Sequence, residues 1–423
     1  MDCCFVSLIF LLLHIYLNEV MPTRKYKIVS LFSGCGGLDL GFTGGFSFLG
    51  KEYKRLNTKI VFANDFDMDA CKCYNANPLL VNDGVDCLLD DIRNIDAEKI
   101  PDFDILLAGF PCQPFSNAGN RKGINDANGR GTLFEECERI IRSKIESNKR
   151  PKAFLFENVR GILSSKMSDG ETTVPQEIKN RMESLNYNVS MKLVCSSDYG
   201  VPQQRYRVLI IGVDKQLGKD SFDFNSLMNV VEKYNIPSTL TGKDEKLLLG
   251  YVLRGVREQD DDVVWDYSAT TQKTVELIGG CQHGQKAMDY FYEGFSKQDL
   301  PPVVFEGRSW KNIPYEKLSP RFKKIADDPK KYHAPKFFRR FAFGEINGTI
   351  TASAQPENCG ITHPVENRRY SVREIARIQS FPDSFRFNAI PLQSQYKVIG
   401  NAVPPVMAWV VASALLDFLL END

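Results

Sequence analysis

Between residues 28 and 213, short apolar runs alternate with longer polar segments of helix-compatible composition. The runs 28–32, 60–64, 105–108, 153–157 and 208–213 are each four to six residues long and apolar at successive positions. That is the pattern of strands covered on both faces. Strands of this kind, spaced by helical segments, predict a doubly wound, mainly parallel α/β sheet. Several runs end directly in Gly, Pro, Cys, Asp or Glu, and open α/β sheets hold their ligands at the carboxyl ends of the strands. From about 216 to 338 the rhythm is lost to polar clusters, an acidic run at 258–262 and a glycine-rich loop at 279–284, which predicts a second domain. Order returns over 339–423, with an amphipathic helix expected at 371–379 and an apolar one at 404–420. The sequence contains no internal repeat.

Residues 5–17 are nearly all apolar, but the run is shorter than the ~18 residues a bilayer span needs. It also lacks a basic flank and a small-residue cleavage site, so it predicts neither an anchor nor an export signal. Met21 opens a basic stretch that leads into the first strand, and residues 1–20 are expected to be a dispensable extension outside the fold. With 423 residues, 43% of them hydrophobic and 25% charged, the composition is that of an ordinary globular protein. Positive and negative side chains balance at 53 each, so only a local imbalance can point to a nucleic-acid partner. The eleven cysteines and four histidines are scattered without metal-ligand spacing. Reduced thiols, no metal and a cytoplasmic setting away from membranes are expected.

Candidate chemistry begins where the first strand ends. Gly34, Gly36 and Gly37 form a turn that can adopt positive φ and leave a helix N-terminus facing a polar group. The dinucleotide fingerprint G-x-G-x-x-G is not met, because Asp39 stands where its third glycine would fall. The second strand ends in Asn64 and Asp65, a carboxylate placed where α/β proteins hold a ribose diol. Asp65 or Asp67 could equally cap the helix that follows. Asp91 with Ile92 offers a third strand-end position, suited to an adenine amino group. Three such signals in order favour a nucleoside-containing cofactor.

Cys112 follows a buried strand immediately and lies between Pro111 and Gln113-Pro114, in a rigid loop rather than on a core face. The strand 153–157 delivers Glu157 to the same edge of the sheet, where a buried carboxylate needs a partner or a task. Alternation before the strand 208–213 points Arg205 and Arg207 to one side, two guanidiniums suited to a carbonyl, a phosphate or Glu157.

Taken together, these pieces resemble the DNA cytosine-5 methyltransferases, particularly the modification enzymes of bacterial restriction systems. The resemblance is carried by Phe32 with Gly34, Cys35 and Gly37, by Asn64-Asp65, Asp91-Ile92 and Pro111-Cys112-Gln113, and by Gly129 through Leu133. Glu157-Asn158-Val159, Gln203 with Arg205 and Arg207, and the C-terminal Gly400, Asn401, Ala402, Val403 and Pro404 complete it. It covers about 28–213 and 339–415. It implies a Rossmann-like methyltransferase sheet formed by 21–215 and completed by 339–423, with 216–338 inserted as a mostly irregular or β target-recognition domain. The implied reaction is attack of Cys112 on carbon 6 of a flipped-out cytosine, which activates carbon 5 toward the methyl group of S-adenosylmethionine. By similarity Glu157 would engage ring nitrogen 3 and the exocyclic amine, while Arg205 and Arg207 would stabilise the ring carbonyl and orient Glu157. Phe32, Gly34, Cys35, Gly37, Asp65, Asp91, Ile92, Leu133, Asn401 and Val403 would line the cofactor pocket. The loop 116–130, rich in Gly, Asn, Lys and Arg, would close over the base.

Given double-stranded DNA as partner, the segment from Arg308 to Arg340 becomes informative. It holds eleven Lys or Arg against three Asp or Glu, an excess of eight positive charges, with Trp310, Tyr315, Phe322, Tyr332, Phe337 and Phe338 interleaved. A solvated basic face is the plain reading of such a run. With DNA present it should supply phosphate contacts, and specificity should lie in loops such as 279–286 and 308–312. A monomer is expected, sharing its recognition site with a cognate endonuclease without needing to bind it. The nearest rival is a transfer-RNA cytosine methyltransferase, whose Cys-Phe-Thr tripeptide is missing from this sequence. A catalytically silent DNA-binding relative is disfavoured by the intact Cys112, Glu157 and arginine pair. An adenine methyltransferase would not need the thiol.

Overall fold

The computed structural model describes residues 25–110, 133–167, 169–256, 263–281, 297–328 and 337–420. Seven strands form one sheet: β1 (Tyr26–Leu31), β2 (Thr58–Asp65), β3 (Cys87–Leu89), β4 (Ile105–Ala108), β5 (Ala153–Val159), β6 (Tyr187–Cys195) and β7 (Tyr206–Asp214). Their order is β3-β2-β1-β4-β5-β7-β6. The pairs from β3 to β5 are parallel, whereas β7 runs antiparallel to both β5 and β6. The doubly wound sheet read from the apolar runs is therefore present, with two strands more than those runs indicated. β3 is only three residues long, and its Leu88 and Leu89 are exposed, so no apolar block marks it. β6 lies at the sheet edge and mixes buried with half-buried positions, which replaces a continuous apolar run with alternation.

Strand alternation divides the interior into two cores. Ile28, Ile105, Leu107, Leu155, Leu209 and Ile211 face one, while Val29, Leu31, Leu106, Phe154, Phe156, Val208 and Ile210 face the other. Ten helices of seven residues or more occur among the described residues: α1 (Gly37–Thr43), α2 (Met68–Asn75), α3 (Leu133–Glu146), α4 (Val174–Ser184), α5 (Ser226–Lys233), α6 (Ala269–Ile278), α7 (Pro320–Asp327), α8 (Val372–Ile378), α9 (Leu392–Asn401) and α10 (Pro405–Leu420). The second core is closed by α3 and α4, through Phe134, Cys137, Ile140, Ile141, Ile178 and Met182. The first is closed by α1 and by chain returning from the C-terminus, α10 above all.

Ser371 starts α8 with a reciprocal cap, its hydroxyl on the Glu374 amide and the Glu374 carboxylate on its own amide. The segment Leu392–Leu420 is apolar and long enough to cross a membrane by composition, yet 83% of its most apolar stretch is buried. Its apolarity reflects burial on several sides: Gly41 of α1 approaches so closely that a Cβ there would lie 2.2 Å from the Ala408 Cβ.

The described residues of 216–338 are irregular, with α5, α6, α7 and short helical turns in place of strands. Local start signals account for this, since Ser268 caps α6 and Ser319 followed by Pro320 starts α7. Of the interleaved aromatics, Phe322, Phe337 and Phe338 belong to the first core and Trp310 packs against it, whereas Tyr315 is exposed and Tyr332 lies outside the described residues. Trp310 stacks on Phe322 at 5.6 Å, and Phe322 meets Phe337 and Phe338, all three phenylalanines being buried. Around them Lys311, Lys317, Arg321 and Lys324 are exposed.

Candidate active site

The carboxyl end of β1 breaks sharply. Phe32 takes a left-handed conformation at φ 55°, followed by Gly34 at 57° and Gly36 at 86°. Such a backbone at a phenylalanine costs about 1–3 kcal/mol and persists where its surroundings enforce it. Asp65 does part of that work from the end of β2, accepting from the Gly34 amide at 2.8 Å and the Asp67 amide at 2.9 Å. Burial raises the Asp65 pKa above the usual carboxylate value, and these two backbone donors oppose the shift. Asn64 donates to the carbonyls of Leu88 and Asp90, both at 2.9 Å, and so joins the ends of β2 and β3. A Cβ added to Gly34 would meet nothing within 4 Å, whereas one on Gly36 would lie 2.3 Å from Leu80 and one on Gly37 2.3 Å from the Val403 carbonyl. The loop is thus fixed on two sides and open on the third. Phe66, immediately after Asp65, is 65% exposed. Beneath the loop Asp39 accepts from the hydroxyls of Ser30 at 2.6 Å and Tyr74 at 2.9 Å, and burial lifts its pKa to about 6.

The second half of the site gathers at the ends of β4, β5 and β7. Register pairs Leu209 with Glu157 and Arg207 with Val159, so Glu157 and Arg207 share a face of the sheet. They form an ion pair, Arg207 Nε to Glu157 Oε1 at 2.7 Å, with each side chain 10% exposed. Arg207 also donates to the Tyr206 carbonyl at 2.8 Å. Asn158 donates to the carbonyl of Phe110, two residues before Cys112, and thereby ties the base of the cysteine loop to β5. A Cβ on Gly109 would lie 3.8 Å from Glu157 Oε2 and 4.0 Å from the Phe32 carbonyl. The glycine turn, the root of the cysteine loop and the Glu157–Arg207 pair therefore converge at one point of the sheet edge. Cys112 and the loop 116–130 lie outside the described residues.

Comparison with known proteins assigns the chain to a family. The family model for C-5 cytosine-specific DNA methylases matches residues 26–417. The chain belongs to that family. The methylase is 30% identical over 397 residues to the type II methyltransferase M.FnuDI of Fusobacterium nucleatum, covering 94% of this chain and 96% of that protein. To M.NgoPII of Neisseria gonorrhoeae it is 31% identical over 402 residues, covering 92% and 95%. Among solved structures it is similar to a DNA modification methyltransferase encoded within an E. coli prophage, with a TM-score of 0.56 and 22% identity over 94% of this chain and 100% of that one. S. pombe Dnmt2 gives 0.53 and 17%, covering 94% and 99%. The two structures share the fold, and the family makes this chain a DNA (cytosine-5-)-methyltransferase of the type II restriction-modification kind.

Within the methylase the residues singled out from sequence occupy different positions. Phe32, Gly34, Gly37 and Asp65 gather at the glycine turn, with Val403 against Gly37. Cys35 is buried, and its thiol turns away toward the Val398 carbonyl at 3.6 Å, leaving its backbone as the part near the turn. Asp91 caps a short turn and holds Arg93, which lowers its pKa, while Ile92 is buried behind it and Leu133 begins α3. Asn401 is exposed at the end of α9.

Arg205 departs most from expectation. It is on the same buried side as Arg207, but its guanidinium donates to the carbonyls of Ile350 at 2.9 Å and Gly400 at 3.0 Å. Its reach joins the β7 approach to the C-terminal turn, a place that a local pattern does not encode. Two contributors were missed. Gln379, directly after α8, accepts from the Gln203 side-chain amide and donates to the Ala402 carbonyl at 2.5 Å, with no local signal. Phe66 could have been found as an aromatic directly after a strand-end acid. Among the described residues, no group of three or more His, Cys, Asp or Glu side chains is arranged to hold a metal ion.

Proposed function

We propose that this methylase transfers a methyl group from S-adenosylmethionine to carbon 5 of one cytosine in a specific short double-stranded DNA sequence. It acts as a monomer through a covalent bond between Cys112 and a flipped-out base, and its product protects host DNA from a cognate endonuclease. The observation that carries the reading is the buried Glu157–Arg207 pair beside both Gly109, at the root of the Cys112 loop, and Phe32, at the glycine turn. A base acid and a cofactor turn are thereby brought to one point.

S-adenosylmethionine, when bound, supplies an electrophilic methyl on a sulfonium. The residues suit it: Gly34 leaves its loop open to close approach, Asp65 holds that loop and presents a buried carboxylate, and Phe66 offers an exposed ring for an adenine face. Asp91 and Ile92 would meet the adenine, with Leu133, Asn401 and Val403 completing the wall. No metal is invoked.

On the base side, a duplex cytosine must leave the stack to reach a strand-end pocket, at a cost of a few kcal/mol. Attack of the Cys112 thiolate on carbon 6 forms a carbon–sulfur bond and moves the 5,6 π electrons onto carbon 5. Glu157 stabilises that change by hydrogen bonding at ring nitrogen 3, and Arg207 holds the carboxyl in place. Carbon 5 would then take the methyl group as its bond to the sulfonium sulfur breaks, the electron pair leaving with sulfur as a neutral thioether. Loss of the proton on carbon 5 to a base restores the double bond and expels the thiolate. Arg205 is a positioning residue, and the exposed Lys311, Lys317, Arg321 and Lys324 hold phosphates without reading sequence.

Expression of the chain in a host that lacks cytosine methylation, followed by bisulfite sequencing, tests the reading. Methylated cytosines should fall in one short motif, and they should disappear with Cys112→Ser while S-adenosylmethionine binding persists. Near-normal transfer by that variant would refute the covalent route.

A further inference from the structure

The same alternation that buries Gln203, Arg205 and Arg207 leaves Gln204 and Tyr206 exposed, Tyr206 by 44%. Tyr206 is the first residue of β7, directly before the arginine that holds Glu157. Arg160 follows β5 directly, three residues after Glu157, and is also exposed. The antiparallel register that sets Arg207 opposite Val159 brings the next residues, Tyr206 and Arg160, side by side. The Arg160 guanidinium lies over the Tyr206 ring, 5.8 Å from its centre.

No carboxylate among the described residues pairs with Arg160. Asp198, whose charge reaches Tyr206, accepts instead from the Thr239 hydroxyl. A guanidinium laid on an aromatic face keeps its N–H edge free and loses little freedom when an anion arrives, which is the geometry of phosphate recognition. An exposed lysine or arginine with no such support would pay more in rotamer entropy for the same contact.

We propose that Arg160, held by the ring of Tyr206, grips a backbone phosphate of the substrate DNA at the rim of the Glu157–Arg207 site. The inference rests on the reading of the chain as a methylase acting on duplex DNA. It adds a positioning residue on the catalytic side, separate from the basic segment around α7. A phosphate held here restrains the strand close to the point where a base must enter the pocket, so the contact acts on DNA binding and leaves the transfer step itself alone.

The test is steady-state methyl transfer on a long unmethylated duplex, which carries any short recognition sequence many times, using wild type, Arg160→Ala, Arg160→Lys and Tyr206→Phe. Arg160→Ala should raise the KM for DNA by about tenfold and reduce the slope of log affinity against log salt by about one. Its kcat at saturating DNA and its affinity for S-adenosylmethionine should stay within about twofold of wild type. Arg160→Lys should recover part of the binding, and Tyr206→Phe, which keeps the ring, should bind nearly as wild type. An Arg160→Ala enzyme with unchanged KM and salt slope, or one impaired in kcat alone, would overturn the assignment. Failure of the wild type to methylate cytosine would instead refute the methylase reading, and direct binding of the same duplex by wild type and Arg160→Ala would still decide the phosphate contact.

Discussion

Glu157 and Arg207 show how a buried charge is compensated by one well-placed neighbour. Both are almost fully buried, and their 2.7 Å contact is the charge compensation that burial requires. Removing the cation alone leaves an unpaired carboxylate in that environment, and Arg207→Ala should lower folding stability by about 3–5 kcal/mol. Glu157→Gln is the more informative change, because a carboxamide oxygen still accepts from Arg207 Nε and the protein should fold. Its kcat is expected to fall by about 10²–10⁴-fold, with affinities for DNA and S-adenosylmethionine near wild type, as measured by single-turnover transfer and titration calorimetry. Wild-type turnover in that variant would reduce Glu157 to a structural partner. Arg207→Lys should not substitute, because an ammonium cannot both meet Glu157 and reach the Tyr206 carbonyl with the same fixed geometry.

At the scale of elements, the glycines of the first turn separate packing from ligand access. Gly41 lies on the buried face of α1 against α10, and a Cβ there would sit 2.2 Å from the Ala408 Cβ and 2.7 Å from the Pro405 carbonyl. Neither neighbour is a flexible side-chain end, so Gly41→Ala must push the helices apart, with an expected loss of about 1–3 kcal/mol in denaturant unfolding. A Cβ on Gly34 meets nothing within 4 Å, and Gly34→Ala carries only the left-handed strain of about 1–2 kcal/mol. Its larger effect should be on S-adenosylmethionine, with Kd rising about tenfold as the methyl group occupies the open side of the loop. Stability changes of the same size and unchanged Kd in both variants would contradict this division. These elements also show where sequence is informative. The apolar blocks 28–32, 60–64, 105–108, 153–157 and 208–213 coincide with strands because burial on both faces leaves a local mark. The edge strand β6 and the short β3 leave none. Glu157 and Asp65 were legible as strand-end acids. The tasks of Arg205 and Gln379 were not, because their partners Gly400 and Gln203 lie 195 and 176 residues away.

Over the whole molecule, two buried titratable groups on different elements set opposing responses to acid. Asp39, in α1, is enclosed with two hydroxyl donors, and burial raises its pKa from 3.8 to about 6. Between those values the folded chain keeps a proton that the unfolded chain releases, so this group's contribution to stability declines as pH rises from about 4 to 6. His363, in the C-terminal part, accepts from the amides of Val365 at 3.3 Å and Glu366 at 3.0 Å through Nδ1, and burial lowers its pKa from 6.5 to about 4. Here the unfolded chain binds the proton first, so its stabilising contribution is complete above pH 6.5 and is lost as pH falls toward 4. Each shift corresponds to something on the order of 3 kcal/mol, with opposite sign over nearly the same window. Asp39→Asn, which keeps polar contacts to Ser30 and Tyr74, should therefore lose stability on acidification more steeply than wild type does. His363→Asn, which retains an acceptor for the two amides, should lose less. Urea unfolding of the three proteins at intervals from pH 4 to 7 measures these slopes, and parallel curves would mean that neither group titrates across folding as its burial demands.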